Sequence, residues 1–164
     1  MTQPDPAHSG QAAHFRALES LYAAAPINQV FPSRLSITGP GQAEIRFVID
    51  PAVYHAAGAA HGTSYFKMLD DAAFYAANSL VNDRFLLTTA FNMLFTRPVK
   101  AGEVTAIGQW VSGRRRVYVA DARLINSDGE EIARGTGTFM VSRYVLSSLP
   151  GYAGALSQSR PETP

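Results

Sequence analysis

The chain contains no cysteine. Disulfides, thiolate metal sites and a thiol nucleophile are therefore excluded. Charge is scarce as well: charged residues make up 16% of the chain and the formal net charge is +1. Such a balance leaves no broad basic face for nucleic acid or an anionic membrane. Lysine is almost missing; Lys67 and Lys100 are the only two, so nearly every cation is an arginine. The four histidines, His8, His14, His55 and His61, include no pair at HExxH spacing, and no metal site is expected. No apolar run approaches the roughly 20 residues that span a bilayer. The first ten residues carry Pro4 and Pro6 and lack an apolar signal core. These absences lead us to expect a cytoplasmic protein with no nucleic-acid partner and no membrane attachment.

What is present fits a single domain: 164 residues, 46% of them hydrophobic. Residues 1–10 read as a disordered N-terminal tail, and 147–164, rich in Ser, Pro and Gly, as a flexible C-terminal tail. The segment 11–146 between them reads as one domain opening on a helix. In 11–24, Phe15, Leu18, Leu21 and Tyr22 give one apolar helical face. In 42–50, Ala43, Ile45, Phe47 and Ile49 alternate with polar residues as a half-buried strand, and 34–39 can pair with it across Gly39-Pro40-Gly41. Residues 62–81, free of Pro and Gly after Gly62, predict one long helix. Strands follow over 86–97, 103–112, 115–126 and 130–144, with turns at Ser112-Gly113-Arg114 and Asn126-Ser127-Asp128-Gly129. One apolar helix followed by four antiparallel strands is an α+β layout, with a curved sheet wrapped around the helix.

That helix carries three charged residues, Lys67, Asp70 and Asp71. A carboxylate is costly to bury without a partner, so at least one aspartate must reach solvent or line a cleft. The two point about 100° apart. Asp71 lies one turn beyond Lys67, where an i,i+4 ion pair is available. Asp70 lies on the line of Phe66, Ala73 and Ala77. Two readings stay open: both acids are simply solvated or paired, or Asp70 lines a reactive cleft. His61-Gly62 opens the helix, where unpaired backbone N–H groups meet the positive end of the helix dipole. This is either a plain helix entry or an oxyanion turn. Ser64 has no GxSxG elbow around it and reads as a first-turn residue. Arg114-Arg115-Arg116 is the one cationic cluster, either a solvated turn or a phosphate clamp.

The segment His61-Gly62-Thr63-Ser64-Tyr65-Phe66-Lys67-Met68-Leu69-Asp70-Asp71-Ala72 resembles the HGGxxxxLxD signature of hotdog-fold acyl-CoA thioesterases, the phenylacetate-degradation type in particular. The likeness runs over about residues 40–142, through Phe74 to Ser79, Phe91-Asn92-Met93, Arg97 to Glu103 and the strand from Gly129 to Val141. It implies a hotdog fold and hydrolysis of an acyl-CoA thioester, with no metal or redox cofactor. By position, Asp70 resembles the family's catalytic carboxylate, acting as nucleophile or as general base on water. Gly62 resembles the backbone oxyanion donor, with His61 shaping the turn, and Thr88 a hydroxyl that orients water or substrate. The likeness also implies a homodimer with active sites across the interface, and a dimer of dimers (a homotetramer) as a further association. Two positions depart from the pattern: Thr63 replaces the second glycine, and His55 stands where close relatives usually carry Asn. An imidazole there can donate to a thioester carbonyl or hold a water.

Tyr65, Phe66 and Phe91 are candidate acyl-binding residues and equally good core residues; Phe74 and Met93 share that ambiguity. Arg114, Arg115 and Arg116 are candidates for the CoA phosphates. Two other functions remain in view: a non-catalytic acyl-CoA-binding or regulatory hotdog module, and a hotdog hydratase.

Overall fold

A computed structural model describes residues 6–158. Six antiparallel strands form one sheet in the order β1-β2-β4-β5-β6-β3, and a long helix, α3, lies across it. The strands are β1 (Ser33–Gly39), β2 (Gln42–Ile49), β3 (Arg84–Phe95), β4 (Gly102–Arg114), β5 (Val117–Ile125) and β6 (Glu131–Val145). The helices are α1 (Pro6–Ala24), α2 (Ile27–Val30), α3 (Gly62–Asn78) and α4 (Pro150–Gln158). This is the α+β, hotdog-type layout that the sequence predicts.

The apolar character of α3 follows from its position. It touches all six strands, and eleven of its residues are buried, from Ser64 to Asn78. The closest approach is at Gly108 of β4, where a Cβ would lie 2.0 Å from the Ala72 carbonyl oxygen, so only glycine lets helix and sheet meet this tightly. Buried Asn78 ends the helix. Its amide donates to the carbonyls of Val81 (3.3 Å) and Arg84 (3.1 Å), and its oxygen accepts from the Leu86 amide (3.0 Å). The helix therefore stops at Asn78, three residues short of the expected end at Val81.

Other boundaries also differ. The helix expected over 11–24 begins at Pro6, inside the expected tail, while residues 1–5 lie outside the described part. The turn expected at Ser112-Gly113-Arg114 falls at Arg115-Arg116; a register shift between Trp110 and Ser112 lets β4 run on to Arg114, and Arg115 takes up the left-handed conformation (φ 66°). The segment 147–164, expected as a flexible tail, instead holds α4 over 150–158, packed on α1. Leu149, Tyr152 and Leu156 recur at helical spacing there, a signal masked by the surrounding Ser, Gly and Pro. Buried His14 ties the two together, with Nδ1 2.7 Å from the Tyr152 hydroxyl and Nε2 3.2 Å from the Asn78 carbonyl. Burial lowers the His14 pKa, so the ring is held neutral, which suits an acceptor at Nδ1 and a donor at Nε2. Among the described residues, no helix is long and apolar enough to cross a membrane.

Candidate active site

One face of α3 meets β3 in an antiparallel ladder. Gly62 faces Phe95 (a Cβ on Gly62 would lie 3.1 Å from the Phe95 ring), Phe66 packs edge-on against Phe91 with centroids 5.6 Å apart, and Phe74 tilts against Phe85 at 4.9 Å. Between the two aromatic pairs, the Thr88 hydroxyl donates to the Asp70 carboxylate at 3.0 and 3.3 Å. The spacing 62-66-70-74 is one residue per turn, so the helix period dictates this alignment. A register shift between Thr88 and Ala90 resets the alternation of β3, which lets Thr88 and Phe91 face the same helix.

Asp70 and Asp71 fare differently. Burial pushes the Asp70 carboxyl up to about 6; the Thr88 hydrogen bond and Lys67 pull against that shift, while the neighbouring Asp71 charge adds to it. Asp71 pairs with Lys67, as the i,i+4 spacing predicts. The pair is not an ordinary surface contact. The Lys67 ammonium also donates to Asn28 Oδ1 (2.8 Å) and the Tyr22 hydroxyl (3.3 Å), and sits 4.9 Å from the centre of the Tyr22 ring. Burial raises the Asp71 pKa too, opposed chiefly by Lys67.

A cavity of about 260 Å³ opens beside Asp70. Asp70, Asp71, Phe74 and Tyr75 of α3 line one side, Phe85, Leu87 and Thr88 of β3 another, and Tyr22, Ala25, Ile27 and Asn28 the third. Sequence reasoning missed this third wall. Tyr22 was legible only as part of an apolar helix face, and nothing marks Asn28 in a helix of four residues.

The turn before α3 lies in a separate cleft, of about 430 Å³, lined by His55, Ala60, Gly62, Tyr65 and residues 95–98. His61 caps the helix, its Nδ1 accepting from the Thr63 amide at 3.1 Å. The Ser64 hydroxyl turns back to the His61 carbonyl (2.7 Å), the first-turn role its position suggests. The Gly62 amide meets no acceptor among the described residues. His55 Nδ1 accepts from the Ala57 amide at 3.0 Å, which places the proton of the neutral ring on Nε2 and leaves that nitrogen a donor. Tyr65 is buried, with its hydroxyl donating to the Arg97 carbonyl (3.2 Å) and its ring edge-on to Phe95.

The structure thus brings Asp70 together with Thr88, and Gly62 with His55 and Tyr65, but it does not bring the two groups together. Asp70 lies eight helical steps beyond Gly62, about 12 Å along the axis. Phe66 and Phe91 stack between them and line neither cleft. Arg114, Arg115 and Arg116 lie at the β4–β5 hairpin, exposed and without ion pairs among the described residues. The rung Tyr118–Phe139–Thr88 puts that hairpin at the Thr88 end of the sheet. No group of three or more metal-ligating side chains occurs among the described residues.

This architecture, a curved antiparallel sheet around one helix, is the hotdog fold. Residues 57–133 match the family model of the thioesterase superfamily. The E. coli PaaI protein, from the phenylacetic acid degradation operon, superposes with a TM-score of 0.75 at 19% identity, over 82% of this chain and 97% of that one. A Haemophilus influenzae thioesterase superposes with a TM-score of 0.70 at 17% identity, over 76% and 87%. A Saccharolobus solfataricus protein provisionally named an esterase is 25% identical over 103 residues, 63% of this chain and 69% of its own. These likenesses show the hotdog fold and make residues 57–133 similar to the thioesterase superfamily. They leave α1, α2 and both strands of the β1–β2 hairpin outside the matched family region.

Proposed function

We propose that the protein hydrolyses an acyl-CoA thioester, with Asp70 as the reacting carboxylate. The observation that carries this reading is the Asp70 environment. The carboxylate is largely buried, lifted to about 6, held by one hydroxyl and open to a cavity. Such a group is ionised at neutral pH yet basic enough to accept a proton from water. The water oxygen then attacks the carbonyl carbon, and the oxygen of the resulting adduct takes up the negative charge. As the adduct collapses, the C–S bond breaks and the thiol leaves with a proton returned from Asp70. The same placement also serves direct attack by a carboxylate oxygen.

The adduct oxygen needs a donor within about 3 Å, and Gly62 of the same chain is too far along the helix. A second copy resolves this. Among the described residues β3 is an edge strand, paired only with β6, and its other side presents unpaired backbone groups. Joining two β3 edges antiparallel sets two α3 helices side by side in opposite directions. Asp70 of one copy then faces the Gly62 amide and His55 of the other, with His61 fixing the helix entry. On this reading Thr88 orients the carboxylate, and Arg114–Arg116 meet the CoA phosphates.

Replacing Asp70 with Asn tests the assignment. Thiol release from an acyl-CoA, followed with a thiol-detecting reagent, falls by about 10³-fold or more if the carboxylate reacts. Unchanged release would overturn the role of Asp70, and tight acyl-CoA binding without release by the natural chain would mark a binding module instead.

A further inference from the structure

The Asp70 cavity has two walls built from regular structure, α3 and β3, and a third built from a bend. Tyr22, Ala25, Ile27 and Asn28 form that third wall, where α1 ends and α2 begins. The bend is anchored at its two ends, by Tyr22 with its ring edge-on to Tyr75 and by Phe31 tilted against Phe47. Between those anchors it has almost no apolar footing. Over residues 23–30 Asn28 is the one buried residue, while Ile27 and Val30 stand 48% and 65% exposed. That buried residue is polar, and both ends of its amide are engaged. Nδ2 donates to the Tyr22 carbonyl at 2.6 Å; Oδ1 accepts from the Lys67 ammonium at 2.8 Å and from the Ser33 hydroxyl at 3.5 Å. One side chain thus joins the end of α1, the start of β1 and the middle of α3. Hydrophobic burial cannot seat a bend that fully buries no apolar side chain. These hydrogen bonds do, the strongest of them from a charged donor.

We infer that Asn28 is a positioning residue for the reaction at Asp70: its amide pins the α1–α2 bend over the cavity and so keeps bulk water from the carboxylate. The inference rests on the reading of Asp70 given above. Burial is the largest influence on the Asp70 carboxyl, and the bend supplies one of the three surfaces around it. A carboxylate stripped of water is the stronger base and the stronger nucleophile. Asn28 bonds to Tyr22, Ser33 and Lys67 and not to Asp70, so its effect passes through the position of the bend. Charge is not the route. Lys67 and Asp71 act on Asp70 with opposite sign, and both remain when the neutral amide is removed. The bend precedes the matched region at 57–133, so this pin belongs to the chain's own amino-terminal addition.

Asn28→Ala removes the pin and leaves every charge in place. The Asp70 carboxyl is titrated by NMR in the natural chain and in the variant, and kcat/KM is followed against pH with hexanoyl-, benzoyl- and palmitoyl-CoA. The Asp70 midpoint falls by about one pH unit or more from its natural value of about 6. The acid limb of kcat/KM moves down with it, and the plateau drops at least about threefold. If Asn28→Ala does not fold, Asn28→Ser, a milder shortening, carries the same test. Tyr152→Phe is the control: it cuts the His14 hydrogen bond that ties α4 to α1, outside the cavity, and leaves the Asp70 midpoint in place. A midpoint and limb unmoved in the Asn28 variant, or moved equally by Tyr152→Phe, overturn the inference and leave the thioesterase reading standing. If the natural chain hydrolyses none of the three while the midpoint still falls, Asn28 keeps its hold on the carboxylate and the hydrolytic reading falls. An unmoved midpoint without hydrolysis overturns both.

Discussion

Two carboxylates adjacent in α3 have opposite surroundings. Asp71 is neutralised by Lys67 within a network that includes Asn28, Tyr22 and Ser33. Asp70, one residue earlier, has a single hydroxyl donor and a cavity. Both lose solvent on folding, and both pKa values rise. The difference lies in compensation. A cation within contact ties Asp71 to Lys67, which in turn cross-links α3 to Asn28 of α2, whereas its absence leaves Asp70 energetically expensive and chemically available. An uncompensated carboxylate beside a cavity is the pattern expected of a functional group.

The sharpest way to break this contrast is to remove each charge in turn. Asp70→Asn lowers acyl-CoA hydrolysis by about 10³-fold or more, while Asp71→Asn keeps it within about threefold; steady-state assays on both variants check this. Next comes Thr88→Val, with an expected loss of about tenfold in kcat. Because the Thr88 hydrogen bond holds the Asp70 pKa down, its removal moves the acid limb of the pH–rate profile upward from about 6.

Stability responds in the opposite sense to activity. The folded Asp70 pKa, about 6, stands above its ordinary 3.8, so the unfolded chain releases this proton first and the native state loses stability as pH rises from about 4 to 6. Asp70→Asn removes that cost. Urea unfolding at pH 7 should show it more stable than the natural chain by up to about 3 kcal/mol, with the gap closing below pH 4. Asp71→Asn should instead destabilise by about 1–3 kcal/mol, since Lys67 loses its charge partner. The smallest effect belongs to the hairpin. Replacing Arg114, Arg115 and Arg116 with Ala raises KM severalfold at low salt and leaves kcat unchanged; a KM unaffected at any salt concentration would make the cluster mere surface.

Much of this contrast was legible in the sequence. The i,i+4 relation of Lys67 and Asp71 and the 100° turn to Asp70 are consequences of the helix alone. The α+β layout followed from one apolar helix set among strands, and the resemblance implied the hotdog fold. Asp70 and Thr88 were each singled out through resemblance, but their hydrogen bond was not legible, because the two are eighteen residues apart and meet through the ladder of α3 on β3. The α1–α2 wall was not legible. Ile27 and Asn28 carry no periodic pattern, and their place is fixed by the hydrogen bond from Lys67, a long-range tertiary contact. The C-terminal helix was missed for another reason: a composition typical of loops outweighed three well-spaced apolar residues.

The central claim is that the carboxylate without a cation does the chemistry. The pH dependence of kcat/KM for acyl-CoA hydrolysis tests it most directly, recorded for the natural chain and Asp70→Asn side by side. The account predicts a rate that climbs through an apparent pKa near 6 to a plateau, and a variant that is at least about 10³-fold slower with that limb gone. A limb near pH 6 that persists in Asp70→Asn at comparable rates would contradict it.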